Sequence, residues 1–320
     1  MEPEVLSLGD VNVDIIMYVD DLPSKGGESL SRRVEVRPGG AAANLAVALS
    51  RLGVPTGFIG AVGNDIFGDY LRRDLESEGV DTSMLARKEA ASGFTVIVVT
   101  GDGERTMLGH RGANRILEPG DIDESYVERA EIVFISGYAF LESPQRDAAL
   151  KVFGAAKQRG IPVAVDLPEV IASIGWEGIR QMVGTPDIIF VNERECNLLL
   201  KNDESKLKDV LRETAMLVVK MGAKGARLHT REGTFTAPAF KIEVVDTVGA
   251  GDAFDAGFIY ALTRGLKPKE CLVVGNAVAA WKCTGPGARH LPRPKDLGRF
   301  LAEHGYKDIE DALEFAGLLR

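Results

Sequence analysis

Val245-Asp246-Thr247-Val248-Gly249-Ala250-Gly251-Asp252-Ala253-Phe254 is the stretch around which the chain is organised. A hydrophobic run, Ile242 to Val245, stops at an acid, and two glycines follow with one residue between them. Beyond Asp252, apolar residues at Ala253, Phe254, Ala256, Gly257, Ile259, Tyr260 and Leu262 recur with helical spacing. The order expected is therefore strand, glycine turn, acid, helix. Unpaired N–H groups at a helix start attract anions, and glycine lets that backbone approach a ligand. An acid beside an anion hole repels a phosphate. It has a purpose if it must take a proton from a hydroxyl attacking phosphorus. A helix start with a favourable acid in its first turn explains the same residues, and local physics leaves the two readings level.

The rest of the chain supplies context. Its 320 residues allow one large α/β domain or two smaller ones, and 45% hydrophobic with 27% charged residues is ordinary for a globular chain with a sizeable core. A net charge of −9 argues against nucleic acid or an anionic membrane as the main partner. Three cysteines, Cys196, Cys271 and Cys283, lack C-x-x-C spacing, which argues against a disulfide framework or zinc site and fits the cytoplasm. The acidic start, Met1-Glu2-Pro3-Glu4, does not resemble a secretory signal, and no run reaches membrane-spanning length. Four scattered histidines without H-E-x-x-H make no metal motif.

Along the chain, Val5 to Leu8 and Val11 to Val19 read as strands joined at Gly9-Asp10, with Asp14 interrupting an apolar segment. Residues 20–37 read as a loop entering a short strand, Ser31 to Arg37. Gly39-Gly40 precede an Ala/Leu-rich helix stopped by Gly53 and Pro55, so a second glycine pair sits at a helix start with Asn44 in its first turn or so. Gly60 to Gly68 has the spacing G-x-x-G-x-x-x-x-G, which misses the dinucleotide fingerprint and reads as a strand turning into the helix Gly68–Glu78. Phe94–Thr100 and Arg105–Gly109 flank Gly101-Asp102-Gly103-Glu104 as a hairpin, either a cover over a cleft or a plain surface feature. From residue 122 strands and helices alternate: strands at Ile132–Ser136, Ile161–Asp166, Ile188–Val191 and Met216–Lys220, then a hairpin region Ala226–Phe240, a helix Lys267–Cys283 and a final amphipathic helix Lys307–Leu319. This rhythm predicts an α/β fold with a mainly parallel sheet and helices on both faces. Ligands meet such sheets at the carboxyl ends of strands, where Asp14, Asn192, Glu195, Gly222 and Asp252 are expected to converge.

Four motifs in this order, Gly39-Gly40-x-x-x-Asn44, Asn192-x-x-Glu195, Gly222-x-x-Gly225 and Asp246-Thr247-Val248-Gly249-Ala250-Gly251-Asp252, closely resemble those of the ribokinase-like (pfkB-type) carbohydrate kinases. The resemblance spans nearly the whole chain. It implies a three-layer ribokinase-like domain over 1–320, with a small β lid from about 12–37 and 92–112. It implies an ATP-dependent transfer of phosphate to a primary hydroxyl of a sugar or sugar-like molecule, with Asp252 as base and Gly249, Ala250 and Gly251 as anion hole. Asp14, Gly39, Gly40 and Asn44 would bind the acceptor, and Arg111 would hang over it. Asn192 and Glu195 would organise Mg²⁺, partly through water. Lys220, Gly222 and Gly225 would border the nucleotide, with Asn276 near the adenine. Asp246 and carbonyls around Val248 and Gly287 would form the monovalent-cation (K⁺) site of some members. The lid often builds a homodimer in relatives. Ala41 departs from the Gly-Gly-Lys-Gly-Ala-Asn form of many ribokinases. A nucleoside kinase on the same scaffold and a non-catalytic nucleotide-binding regulator are the competing expectations; ribose, fructose, a ketodeoxy sugar acid, inositol and nucleosides all remain open as acceptors.

Overall fold

A computed structural model describes residues 2–315. Its main sheet contains β1 (Val5–Leu8), β4 (Thr56–Gly63), β5 (Leu85–Lys88), β8 (Ile132–Ser136), β9 (Val163–Asp166), β10 (Ile188–Asn192), β11 (Met216–Lys220), β12 (Ala226–Thr230) and β13 (Gly233–Ala237). A second sheet contains β2 (Asn12–Tyr18), β3 (Arg33–Gly39), β6 (Gly93–Val99) and β7 (Arg105–His110).

The main sheet runs β5-β4-β1-β8-β9-β10-β11-β12-β13. Every pairing from β5 to β11 is parallel, and β12 and β13 continue the sheet antiparallel. Parallel strands are covered on both faces, and their alternating side chains split the interior into two cores. Val5, Phe58, Ile132, Phe134, Phe190 and Val218 point to one, which is closed by the helices Ala41–Arg51, Ala250–Thr263 and Pro268–Cys283. Leu6, Leu8, Val133, Ile135, Ile189 and Val219 point to the other, closed by Gln145–Gln158 and Trp176–Val183. Three layers result, with the turn of connectivity between β1 and β8. No helix among the described residues is long and apolar enough to cross a membrane.

The small sheet, ordered β3-β2-β6-β7, is entered directly from the carboxyl end of β1. The chain thus passes from one sheet to the other between Leu8 and Asn12. Asn114 secures that passage by donating to the Val11 carbonyl and accepting from the Val11 amide.

Several expected elements differ. Ile242–Val245 is no strand: residues 238–249 form a connection outside both sheets, and Val244 and Val245 are each 58% exposed. Apolar residues there predict a strand, but the sheet already ends at β13 and offers no neighbour. The helix expected from Gly68 begins at Ile66, because Asp65 caps it by accepting from the Gly68 amide at 2.8 Å. The short edge strand β5 and the helix Pro294–Glu303 were not expected. The final helix covers Lys307–Phe315, and the expected part beyond it lies outside the described residues.

Candidate active site

The carboxyl ends of the central strands carry a row of polar residues set by register. Ser136 on β8 pairs with Asp166 on β9, and Asn192 on β10 pairs with Lys220 on β11. The helix Ala250–Thr263 starts above this row. Gly249 is its N-cap at φ 74°, a conformation in which a side chain is strained, and a Cβ there would stand 2.7 Å from the Ala288 Cβ. The Ala250 amide donates to the Thr247 carbonyl at 3.1 Å and that of Ala253 to the Gly249 carbonyl at 2.9 Å, which leaves the amides of Gly251 and Asp252 without carbonyl partners. A Cβ on Gly251 would lie 3.5 Å from the Lys220 ammonium, so that cation sits beside the turn.

Asp252 stands in the first turn of this helix. Its Oδ2 accepts from Asn44 Nδ2 at 2.9 Å, across 208 residues of sequence. Burial raises its pKa to about 6; the Asn44 bond opposes the rise, Asp166 adds to it, and Lys220 and Arg289 oppose it. Asp14 also titrates near about 6, again chiefly through burial, with Arg289 opposing and Asp252 reinforcing. The two acids therefore share one field. Gly39 leaves room for Asp14: a Cβ there would meet its Oδ2 at 2.3 Å. Gly40, at φ 97°, brings the backbone against the Asp10 carbonyl, which a Cβ would approach to 2.4 Å. Asn44 is oriented by Arg289, whose Nε donates to its Oδ1 at 3.2 Å and whose guanidinium also pairs with Asp74.

On the other side of Asp252, Lys220 Nζ is held 2.8 Å from Asp166 Oδ1 and 3.0 Å from Asp255 Oδ2. Burial works against its charge, but the two acids raise its pKa above the ordinary lysine value. Lys220 thus neutralises Asp166 at the end of β9 and Asp255 on the helix Ala250–Thr263, and is not free for a ligand alone. Asn192 and Glu195 cap their helix reciprocally: Asn192 Oδ1 accepts from the Glu195 amide at 2.9 Å, and Glu195 Oε2 from the Asn192 amide at 2.7 Å. Burial, then Asp166, raises the Glu195 pKa, against its bond to Asn192 and the Lys220 charge. Among the described residues no three His, Cys, Asp or Glu side chains form a metal cage. One capped carboxylate with an oxygen to spare fits a magnesium ion that keeps most of its waters and leans on phosphate oxygens.

Two expected site residues have other attachments, and two others lie elsewhere than at a strand end. Arg111 is engaged by Asp10, at 2.8 and 2.9 Å, and by Glu142, Gln145 and the Tyr138 carbonyl, so its guanidinium joins the lid to the main sheet and does not hang free over an acceptor. Asn276 donates to the carbonyls of Ala237 and Pro238, both at 3.1 Å, pinning the end of β13. Asp14 lies inside β2, not at a strand end, and Asp252 follows the irregular connection. Gly222 and Gly225 flank the turn from β11 to β12 as expected.

Asp166, Asp255 and Arg289 were missed in the sequence. Asp166 had a legible signal, an acid ending a buried strand; Asp255 reads as an ordinary helix acid, and Arg289 follows a loop whose path nothing local predicts.

Between the lid and the glycine turn lies a cleft of about 310 Å³, walled by Asp14, Ile16, Tyr18, Ile97, Arg105 and Val248. A larger hollow of about 500 Å³, near Trp176 and Lys201, includes none of the residues above.

A glycine turn opening a helix thus lies beside an acid of raised pKa, with the small sheet facing it. The sequence matches the description "pfkB family carbohydrate kinase" over residues 2–296. It is 36% identical to an ATP-dependent ribose-1-phosphate kinase of Halopiger xanaduensis, over 93% of this chain and 98% of that protein. It is 32% identical to an aminoimidazole riboside kinase of Salmonella typhimurium, over 94% and 96% of the two. The fold matches that of Arabidopsis thaliana ribokinase complexed with ribose and ATP at a TM-score of 0.79 and 25% identity, over 94% of this chain and 99% of that one. The chain belongs to the pfkB family of carbohydrate kinases.

Proposed function

We propose that the protein transfers the γ-phosphoryl group of ATP to a primary hydroxyl of a sugar or sugar-like acceptor. The observation that carries this reading is the Asn44–Asp252 bond. It holds a carboxylate with a pKa near about 6 beside the Gly249–Gly251 turn. Asp14 and Asn44 position the acceptor, and Asp252 takes the proton of its hydroxyl as that oxygen attacks phosphorus. The amides of Gly249, Ala250 and Gly251 receive the charge that grows on the transferred group. Gly222 and Gly225 border the nucleotide, and Asn192 and Glu195 would hold a Mg²⁺ ion. When bound, that ion neutralises charge on the phosphates.

The lid wall gives the acceptor a mixed environment. Ile16, Tyr18, Ile97 and Val99 are apolar, while Arg37 and Arg105 bring positive charge. Arg37 pairs with Glu35 and Arg105 with Asp246, so an anionic group on the acceptor, as in the relative named for ribose-1-phosphate, would share a guanidinium with one of those acids. The apolar wall favours a second reading, a nucleoside acceptor. A panel of ribose, ribose-1-phosphate, fructose, a ketodeoxy sugar acid, inositol and nucleosides, each with ATP and Mg²⁺, separates them. Turnover on at least one sugar or sugar phosphate is expected; turnover confined to nucleosides would replace the first reading by the second.

The opposite lid face supports a homodimer. Side chains directly across from one another share a face, so Val36, Ile15, Val96 and Leu108 form one row, and Val34, Met17 and Val98 another. Val34, Val36 and Leu108 are 53%, 51% and 67% exposed. A self-complementary apolar patch of this kind pairs with a second copy. Sedimentation is expected to give a dimer that Leu108→Glu converts to monomer; a monomeric wild type would exclude the interface.

A further inference from the structure

The connection that leads into the anion-hole turn belongs to neither sheet, so something else must hold it. The amides of Val245 and Asp246 donate to the Cys283 carbonyl, at 2.8 and 3.3 Å, at the end of the helix Pro268–Cys283. The Asp246 carboxylate accepts from the amides of Val248 at 3.0 Å and Gly287 at 2.8 Å. A carboxylate, a main-chain carbonyl and the negative end of a helix thus meet in one corner, and that concentration of negative charge calls for a cation.

The cation is already part of the chain. Lys282 is fully buried, and its Nζ donates to the Asp246 carbonyl oxygen at 2.6 Å. Arg105, from the lid, pairs with Asp246 Oδ1 at 2.9 Å. The resemblance to kinases with a monovalent-cation site led to the expectation that Asp246 and neighbouring carbonyls bind K⁺. Asp246, the charged member of that set, is already taken here. Each oxygen of Asp246 has a donor, and an incoming K⁺ would face the Lys282 ammonium and the guanidinium of Arg105. Arg37 adds a third positive charge, lying against Gly287 so closely that a Cβ there would touch its Nη1. Like charges at such separations repel strongly away from bulk water.

We infer that the Lys282 ammonium takes the place of the monovalent cation, so that this kinase needs no K⁺ and Lys282 acts as a positioning residue for the Gly249–Gly251 turn. A tethered ammonium holds the Asp246 corner at every moment, whereas a free ion must bind first. The turn then presents its amides preorganised, which is where electrostatic stabilisation of a transferring phosphoryl group originates. Burial lowers the Lys282 pKa, while the Asp246 charge acts to keep the proton on.

The test compares turnover in potassium chloride and in tetramethylammonium chloride at equal ionic strength. Wild-type kcat is expected to agree within about twofold. Stimulation by potassium of about tenfold or more would overturn the inference, and this arm needs no variant. Lys282→Ala, which leaves room for an ion, is expected to lose about 10- to 100-fold in kcat with the acceptor KM little changed. Potassium or ammonium should restore part of that loss and raise the melting temperature of the variant but not of the wild type. Wild-type kcat in the variant without any alkali cation would overturn the inference. So would a folded, impaired variant that neither ion restores, because Lys282 would then be structural only. The inference rests on the turn receiving phosphoryl charge. Failure of that reading would appear separately, as an Asp252→Asn enzyme that still turns over.

Discussion

Asp252→Asn is expected to lower kcat by about 10³-fold or more while ATP still binds and the fold is at least as stable as the wild type. The asparagine keeps an oxygen that can accept from Asn44 Nδ2, now at 2.9 Å from Asp252 Oδ2, so the geometry survives while the base is lost. The stability expectation follows from the direction of the pKa shift. Burial raises the Asp252 pKa from 3.8 to about 6. Between those values the native protein holds a proton that the unfolded chain has released, so native stability falls as pH rises through that window. Above about pH 6 the ionised carboxylate remains a cost, which the amide does not carry. Melting temperature at pH 8 is therefore expected to be equal or higher in the variant. In the wild type, kcat/KM should fall as pH drops through about 6, and more steeply than one proton demands, because Asp14 titrates in the same range and both acids act ionised. Near-normal turnover in Asp252→Asn would remove Asp252 as the base, and a flat profile from pH 7 to 5 would contradict the pKa reading.

Lys220→Met should produce the largest loss of stability. The substitution leaves Asp166 and Asp255 facing each other without their shared cation, and the Asp255 side chain is only 1% exposed. Burial already raises the Asp255 pKa well above the ordinary range, with Lys220 opposing the rise. Removing one member of a buried ionic group costs about 3–5 kcal/mol. Chemical denaturation at pH 8 would measure it. The deficit should shrink on acidification, since the orphaned carboxylates then take up protons, and Asp255→Asn added to Lys220→Met should recover part of it. A single variant as stable as the wild type would show that the Lys220 cluster is solvated and of little consequence.

The elements carrying regular periodicity were legible in the sequence. Strands β1, β8, β10 and β11 are short apolar runs bounded by turn residues, and Gln145–Gln158 is an alanine-rich amphipathic helix; their alternation is what a covered parallel sheet requires. Ile242–Val245 shows the limit of that reasoning. Three of its four residues are apolar, with Glu243 between them, but a strand needs a partner, and partners are decided by where other segments of the chain lie. Arg111 shows the same limit for side chains. A hairpin arginine invites a ligand, yet Asp10, Glu142 and Gln145 come from far along the chain to occupy it.

By itself the sequence determined the family, the α/β architecture and the glycine, asparagine and acid positions at helix starts, because those depend on local backbone geometry and on spacing within a few residues. Only the tertiary structure decided what surrounds them. It placed Asn44 against Asp252, trapped Lys220 between Asp166 and Asp255, and set the Lys282 ammonium on the Asp246 carbonyl. The charge and pKa of each group depend on burial and on neighbours within a few ångströms. Those neighbours are brought together by the packing of distant segments, which no local pattern encodes.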